Sequence, residues 1–373
     1  MNILSLFPLI PLVMMLGLWI SKNTRQIHAV MVAGSSALLA LAIYLVFHYL
    51  GLREAGATDA MLLTDSVVWY APLNIHYAVG VDGISVAMLL LSAIIVFTGT
   101  FASWQMKSDV KAYFLWFCLL SVGVFGFFIT VDLFSMFMFY EVALIPMYLL
   151  IGVWGSGRKE YSAMKLTLML MGGSALLLCG ILGIYFGAGA QTMNLHEIAA
   201  LHNIPLSQQY IWFPMVFVGF GVLGALFPFH TWVPDAYAYS TPTSAAVLSS
   251  LVSKGYIFLL MKIMYRVIGL DVIVSTGIQD VLFVFALVGM VMGSISAIRQ
   301  TDIRRMIAFS SVAQIGYVFM GIGLGTDEGM MAATFHIFSH AVCKSMLFLA
   351  AGGLADASNN SKKFRDLRGA GFR

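Results

Sequence analysis

Residues 227–260 read FPFHTWVPDAYAYSTPTSAAVLSSLVSKGYIFLL, with Pro228, Pro234 and Pro242 close together and Lys254 in the apolar run that follows. Proline removes an amide donor and breaks helices. Inside a membrane, the carbonyl groups freed in this way must face protein or water. Two interpretations stay open. The stretch is either an extramembrane loop before a helix that begins at Pro242, or a discontinuous helix of the kind that transporters place beside an ion path.

The composition of the whole chain indicates the environment of this stretch. Of the 373 residues, 60% are hydrophobic and 10% are charged, whereas soluble domains are about 25% charged. The chain is therefore predicted to be an all-α integral membrane protein with many spans. Its net charge of +3 is too small to suggest a nucleic-acid surface. Cys118, Cys179 and Cys343 form no CxxC motif that would indicate a disulfide framework, a metal site or an iron–sulfur cluster.

Apolar runs of about 20 residues, long enough to cross about 30 Å of hydrocarbon, occur eleven times in the sequence. The predicted spans are 4–20, 27–50, 81–103, 112–130, 133–154, 161–186, 211–228, 242–268, 278–298, 303–324 and 329–354. Residues 51–80 are polar and mixed, and their final part, VVWYAPLNIHYAVG, predicts a short extended piece on the outer surface.

Basic residues between the runs predict the orientation, because cytoplasmic loops carry an excess of Lys and Arg. The odd-numbered loops and the tail contain Lys22, Arg25, Lys107, Lys111, Arg158, Lys159, Arg299, Arg304, Arg305, Lys362, Lys363, Arg365, Arg368 and Arg373. The even-numbered loops contain only Arg53 and Arg266. This pattern predicts a multi-pass protein of the cell (inner) membrane with its N-terminus outside and its tail in the cytoplasm.

Few charged side chains fall inside the runs, and each costs about 2.5–3.5 kcal/mol at the centre of a membrane. Glu141 lies near the middle of the fifth run, and its stem is too short to reach the headgroups. It is either a protonated carboxyl group bonded to a neighbouring helix or a functional group. Lys165, one turn inside its helix, can extend to the headgroups, whereas Lys254 lies too deep. Lys262 is nearer the end of the same helix, on a broadly similar face.

The eleventh run contains FHIFSHAVCKSMLFLAAGG, in which His336, His340 and Lys344 recur every four residues along one stripe of a helix. The stripe either joins helices together or forms a hydrated proton relay over about 12 Å, and we favour the relay. The HxxxH spacing suits a metal ion, but no third ligand accompanies it in the same span. No metal is therefore predicted.

Four motifs together resemble the antiporter-like proton-translocating subunits shared by respiratory complex I, Mrp-type sodium/proton antiporters and membrane-bound hydrogenase complexes. They are FYEVALIPMYLLIG around Glu141, the stretch 227–260, DIRRMIAFSSVAQIGY after Thr301, and HIFSHAVCKSMLFLAAG in the eleventh run. The resemblance implies a bundle of about fourteen helices with two inverted five-helix repeats and a broken seventh helix, of which this chain would carry eleven. It predicts N-terminal helices 1–3 at 1–110, a first repeat of helices 4–8 at 111–270, and helices 9–11 of a second repeat with the tail at 271–373.

The resemblance also implies a pathway for ions along the middle of the membrane. Its predicted residues are Glu141, Lys254, His336, His340 and Lys344, with Lys165, Lys262, His230 and Asp235 as further candidates. In the family, a lysine on the seventh helix precedes the FPFH histidine by seven residues, and here that position is Leu223. Either another residue such as Lys254 compensates, or the first half-channel works differently, or the subunit does not pump.

The implied function is that of a subunit of a multisubunit membrane complex that translocates protons, or exchanges Na⁺ for H⁺, coupled to redox chemistry elsewhere in the complex or to partner subunits. The expected partners are the lipid bilayer, other membrane subunits including homologous antiporter-like ones, and the transported H⁺ or Na⁺, with no nucleic acid. No catalytic site or cofactor is indicated. Two alternatives stay open: a non-pumping scaffold, favoured by Leu223, and an ion or solute carrier of related fold.

Overall fold

A computed structural model of the chain is mainly helical and describes residues 2–187, 189, 192–201, 205–264 and 277–370. Its helices are α1 (Leu6–Ile20), α2 (Thr24–Glu54), α3 (Gly83–Ala102), α4 (Val110–Ile129), α5 (Leu133–Gly152), α6 (Lys159–Gly187), α7 (Leu195–Leu201), α8 (Leu206–Leu223), α9 (Trp232–Tyr239), α10 (Pro242–Val247), α11 (Ser253–Lys262), α12 (Ile278–Ile298), α13 (Ile303–Gly323) and α14 (Asp327–Ala357). A π-helical segment, Leu248–Val252, connects α10 to α11.

Ten stretches of the described residues are helical, long and apolar enough to cross a membrane, which confirms the predicted polytopic membrane class. The remaining predicted span, the seventh, corresponds to α8, an 18-residue helix about 27 Å long at 1.5 Å per residue. It ends at Leu223 rather than at the predicted Pro228. The end of the eighth predicted span, 265–268, with Arg266, and the tail residue Arg373 lie outside the described residues.

The extended piece predicted within 51–80 is an antiparallel hairpin of β1 (Leu62–Tyr70) and β2 (Ile75–Val81). Asn74, in the turn, has a left-handed backbone with φ 49°, a conformation that asparagine adopts more readily than most residues. The Val131 amide donates to the Ala78 carbonyl at 2.9 Å. The hairpin is thereby attached to the connection between α4 and α5.

The chain divides into two compact units. The first contains residues 1–147 and 176–216, and the second contains residues 148–175 and 217–373. Glu141 and the hairpin belong to the first unit. The stretch 227–260 and the histidine–lysine stripe belong to the second. The predicted repeat boundaries at 111 and 271 stay a prediction.

The connection from α8 to α9 is a helix break. The Leu226 amide donates to the Gly221 carbonyl at 2.8 Å and the Ala225 amide to the Val222 carbonyl at 3.3 Å, with Ala225 at φ 61°. This pattern is a Schellman motif, which satisfies carbonyl groups at a helix end. The eight-residue helix α9 follows and ends at Tyr239, and the next residue, Ser240, has an extended backbone with ψ 170°. A helix break therefore lies where the three prolines indicated one, and the location of this break at membrane depth stays a prediction.

Two glycines allow close helix packing in the second unit. A Cβ on Gly293 of α12 would lie 2.7 Å from the Ala313 amide nitrogen of α13, and a Cβ on Gly352 of α14 would lie 2.6 Å from Cγ of Pro242 in α10. Small residues at such crossings are typical of membrane helices. Gly352 brings α14 against α10, the helix that leads through the π-helical segment to Lys254.

Candidate functional site

The π-helical segment determines how Lys254 is bound. Every residue from Thr243 to Lys262 is buried, and Lys254 is 0% exposed. The Ser253 amide donates to the Leu248 carbonyl, five residues back, rather than to Ser249 as in an α-helix. The Ser249 carbonyl instead accepts a hydrogen bond from the Lys254 ammonium group, which also donates to Ser253 Oγ at 3.1 Å.

The stripe predicted on the eleventh run lies along α14. The rings of His336 and His340 are nearly parallel, at 10°, with centroids 6.1 Å apart. His340 is 3% exposed, and neither of its buried ring nitrogens forms a hydrogen bond within the described residues. Lys344, also 3% exposed, donates to the Ile307 carbonyl at 3.2 Å and to Ser310 Oγ, both on α13.

A pair of serines connects the π-helical segment to α14. Ser250 Oγ lies 2.7 Å from Ser345 Oγ and donates to the Ala341 carbonyl at 2.9 Å. Ser345 follows Lys344 directly, and Lys254 is one helical turn beyond Ser250. The four predicted side chains Lys254, His336, His340 and Lys344, together with Ser249, Ser250, Ser253, Ser310 and Ser345, form the lysine–histidine cluster.

The acceptors of the two lysines are neutral. Among the described residues, the recorded acceptors of Lys254 and Lys344 are carbonyl and hydroxyl oxygens. Asp235, which forms ion pairs with Lys165 and Arg305, is not a member of the cluster. A buried ammonium group without an adjacent carboxylate is held at a cost in free energy. Such a group is suited to exchanging its proton.

A second set of charged side chains lies at α9, next to the helix break. Lys165 Nζ on α6 lies 2.7 Å from Asp235 Oδ2 on α9, and Arg305 Nη2 on α13 lies 3.6 Å from Asp235 Oδ1. Lys165 therefore makes an ion pair where an extension to the headgroups was predicted. His230 stacks on Phe227, with ring centroids 5.5 Å apart. Arg305 was predicted to lie in a loop, and its contact with Asp235 depends on the tertiary fold.

Two further predicted positions differ in their surroundings. Lys262, 6% exposed, lies with its Nζ 4.2 Å from the centroid of the Phe258 ring, within range of a cation–π contact. Leu223, where the family lysine is expected, is fully buried as the last residue of α8. The helix end at this position is closed by the Schellman motif.

Glu141 lies in the middle of α5 in the first unit and is half-buried. The start of α5 is held by Asp132, which is 1% exposed. Asp132 accepts from the amides of Ser135 at 2.8 Å and His76 at 3.3 Å, as an N-cap side chain does. Burial raises the pKa of the Asp132 carboxyl against these two hydrogen bonds. Sequence reasoning missed Asp132, although an Asp directly before an apolar helical run is a capping signal.

Lys362, after α14, is the clearest titratable cation outside the spans. Burial and the positive charge of Arg304 lower the pKa of Lys362 to about 8, against the opposing attraction of Asp302. An unfolded lysine loses its proton near about 10.4. The folded state thus holds this cation at a cost in folding free energy that is complete below about pH 8 and is lost progressively as the pH rises to about 10.4. Through this group alone, folding becomes more favourable from about pH 8 to about pH 10.4.

We expect an amine-reactive ester to label Lys362 with a yield that reaches half its maximum near pH 8, since only the neutral amine is acylated. Peptide mass spectrometry after labelling at a series of pH values measures this midpoint. The Lys362→Arg variant lacks the reactive amine and identifies the labelled peptide. A midpoint above pH 10 would contradict the described surroundings of this amine.

Comparison with known proteins assigns the fold and the site to a class. The description "NADH:quinone oxidoreductase/Mrp antiporter, TM" belongs to a family model that matches residues 130–370. NADH-quinone oxidoreductase subunit M of Rickettsia felis is 31% identical over 361 residues, which are 94% of this chain and 71% of that protein. The chain spans 52–71% of the length of the curated relatives compared.

Solved structures share the fold. A chain of the archaeal membrane-bound sulfane sulfur reductase superposes with a TM-score of 0.86 at 24% identity, covering 98% of this chain and 74% of that one. A chain of the Mrp complex from Dietzia sp. DQ12-45-1b gives a TM-score of 0.82 at 24% identity, with coverages of 96% and 65%.

The helix break beside buried cations defines a multi-pass membrane protein of the antiporter-like class. The chain belongs to the NADH:quinone oxidoreductase/Mrp antiporter transmembrane family. This finding confirms the resemblance that the four sequence motifs indicated.

Proposed function

We propose that this chain is a membrane subunit of a multisubunit complex and translocates protons, or exchanges Na⁺ for H⁺, through buried charged residues. The observation that carries the proposal is the lysine–histidine cluster. Two lysines and two histidines lie in the second unit, and the recorded acceptors of the lysines are neutral oxygens. A scaffold gains nothing from the cost of burying such groups.

The chemistry of the cluster suits proton transfer. His340 has two buried ring nitrogens and can take a proton on one and release it from the other. The Ser250 and Ser345 hydroxyl groups, 2.7 Å apart, can each donate and accept hydrogen bonds. Like charges repel each other, so release of a proton by one lysine of the cluster favours the charged form of the other.

Glu141 has a separate role in the proposal. A positive charge nearby makes a carboxylate release its proton more readily, and withdrawal of that charge reverses the effect. Glu141 would thus bind and release a proton as a neighbouring cation changes. Since position 223 is leucine, either another residue such as Lys254 supplies that cation, or the first half-channel works differently, or the subunit does not pump. Lys165, Lys262, His230 and Asp235 are further candidates for the pathway.

The finer topology belongs to the same proposal. The N-terminus lies outside and the tail in the cytoplasm, because the odd-numbered loops carry most of the Lys and Arg residues. Residues 111–270 and the part of the chain from 271 onward belong to two inverted repeats. Other membrane subunits, including homologous ones, are the partners, and redox chemistry or partner subunits drive transport.

We expect Lys344→Met to lower proton flux by at least about 10-fold, since it removes one transfer group from the path. The assay uses vesicles that contain the complete complex, a potassium gradient with valinomycin to impose a potential, and a pH-sensitive dye inside. Lys159→Met is the matched control, because Lys159 Nζ donates to the Val153 carbonyl away from the cluster. Flux of Lys344→Met equal to that of wild type would reject the cluster as a pathway.

The second candidate function is a non-pumping scaffold, favoured by Leu223 at the position of the family lysine. It predicts that Lys344→Met leaves flux unchanged while the neighbouring subunits detach when the chain is deleted. Uptake of radioactive sodium into the same vesicles measures sodium transport, and its comparison with the proton flux shows which ion is transported.

A further inference from the structure

The end of the broken helix α9 is closed by groups from outside it. An α-helix leaves its last four carbonyl groups without intrahelical partners. Ser240 closes two of them itself, through its amide to Ala236 at 3.3 Å and its hydroxyl to Tyr237 at 3.2 Å. The other two, of Ala238 and Tyr239, need other donors, and so does the carbonyl group of the capping residue Ser240.

Three separate elements supply these donors. Lys362 Nζ donates to the Ala238 carbonyl at 3.3 Å, and Arg304 Nη1 on α13 donates to the Ser240 carbonyl at 3.2 Å. The Ser156 amide, between α5 and α6, donates to the Tyr239 carbonyl at 2.7 Å. Two of the three donors are cations, which the negative end of a helix dipole attracts.

Lys362 is itself fixed in place. The Ile303 amide donates to the Lys362 carbonyl at 2.9 Å, and the Phe364 amide donates to the Thr301 carbonyl at 3.0 Å. Lys362 Nζ also donates to Ser156 Oγ at 2.6 Å. The segment after α14 is thereby paired with the start of α13, and its lysine joins the 153–158 loop to the end of α9.

Placing the Lys362 and Arg304 side chains next to each other costs folding free energy. Arg304 is 5% exposed, and its charge repels that of Lys362. Asp302, and on α14 Asp356, attract Arg304, and Asp302 also attracts Lys362. Two neighbouring cations directed at the carbonyl groups of one eight-residue helix indicate that the position of that helix matters.

We infer that Lys362 and Arg304 are positioning residues that cap the end of α9 and so fix Asp235 and the helix break in place. The inference rests on the proposed transport function for its consequence, though the cap itself does not. α9 has a break at each end, so no continuous helix holds it. Trp232 Nε1 donates to the Val222 carbonyl at 3.0 Å at its start, and the cationic cap holds its end.

The test compares three variants in the complete complex: Lys362→Met, Lys362→Arg and Lys363→Met. The last is the control, because Lys363 is next to Lys362 in the chain and is exposed. Hydrogen exchange of the peptide 232–241 measures the cap, and potential-driven proton flux into vesicles measures its consequence. Lys362→Met is expected to raise exchange and lower flux, each by about 10-fold, since a charge-assisted hydrogen bond is lost. Lys362→Arg restores both, and Lys363→Met matches wild type.

Acylation of Lys362 in the assembled wild-type complex removes its charge after folding. It is expected to raise exchange of the same peptide, while acylated Lys362→Arg does not change there. If Lys362→Met fails to assemble, the acylation experiment still tests whether Lys362 caps α9. Exchange that stays at the wild-type level in both Lys362→Met and the acylated complex overturns the inference. If Lys344→Met transports like wild type, the transport proposal fails, and hydrogen exchange still decides the cap.

Discussion

Lys254→Met is expected to lower potential-driven proton flux by about 100-fold, the scale on which a positioned proton-transfer group acts. Lys254 is fully buried and is held by the Ser249 carbonyl and the Ser253 hydroxyl. Methionine has a similar shape but carries no proton. Initial rates in vesicles that contain the complete complex, with a pH-sensitive dye inside, measure the effect.

Lys254→Met also distinguishes a role of Lys254 in transport from a role in stability. Removal of a buried cation relieves a cost of about 2.5–3.5 kcal/mol, so Lys254→Met is expected to unfold at the same temperature as wild type or a higher one. Lys159→Met serves as the control for both measurements. A variant that assembles and retains wild-type flux would show that Lys254 carries no proton, whereas a loss of flux with a lower unfolding temperature would indicate a structural role.

Glu141→Gln is expected to abolish ion-coupled transport, with flux lowered by about 100-fold, while the complex assembles. Glutamine keeps the size of the side chain and its hydrogen-bonding capacity but cannot release a proton. Glu141 lies mid-helix in α5, half-buried, so the substitution has little effect on packing. Flux and the amount of assembled complex are measured on the same preparation.

Asp132→Asn provides the matched control on the same helix. Asparagine retains one oxygen, which can accept from the Ser135 amide, and it is as good an N-cap as aspartate. The longer hydrogen bond from the His76 amide to the second carboxylate oxygen is lost. Flux in this variant is expected to match wild type. Full transport by Glu141→Gln would remove Glu141 from the pathway and leave the lysine–histidine cluster as the only part of the proposal still supported.

Much of the site could be predicted because its residues lie on one helix. His336, His340 and Lys344 share a stripe by their spacing alone, and their stacking on α14 follows from it. The three prolines of the stretch 227–260 indicated a discontinuity, and a helix break lies there. The break begins at Leu223 rather than Pro228, because the Schellman motif places Ala225 in a left-handed conformation that a sequence pattern with alanine does not indicate.

The remaining contacts could not be predicted, because they depend on which carbonyl groups and helices meet. Nothing in the letters SSLVSK indicates that a π-helical segment directs the Ser249 carbonyl to Lys254. Lys165 was expected to extend to the headgroups, and its partner Asp235 is 70 residues away in sequence.

The sequence by itself determined the membrane class, the approximate spans, the helix break and the family, because apolar length, proline chemistry and local spacing act within a few turns of the chain. Only the tertiary structure decided which groups hold the lysines, that Asp235 joins Lys165 to Arg305, and that Lys362 and Arg304 close the end of α9. The physical reason is that a buried polar group takes its partner from whichever helix packs against it. That choice is fixed by three-dimensional packing and not by neighbours along the chain.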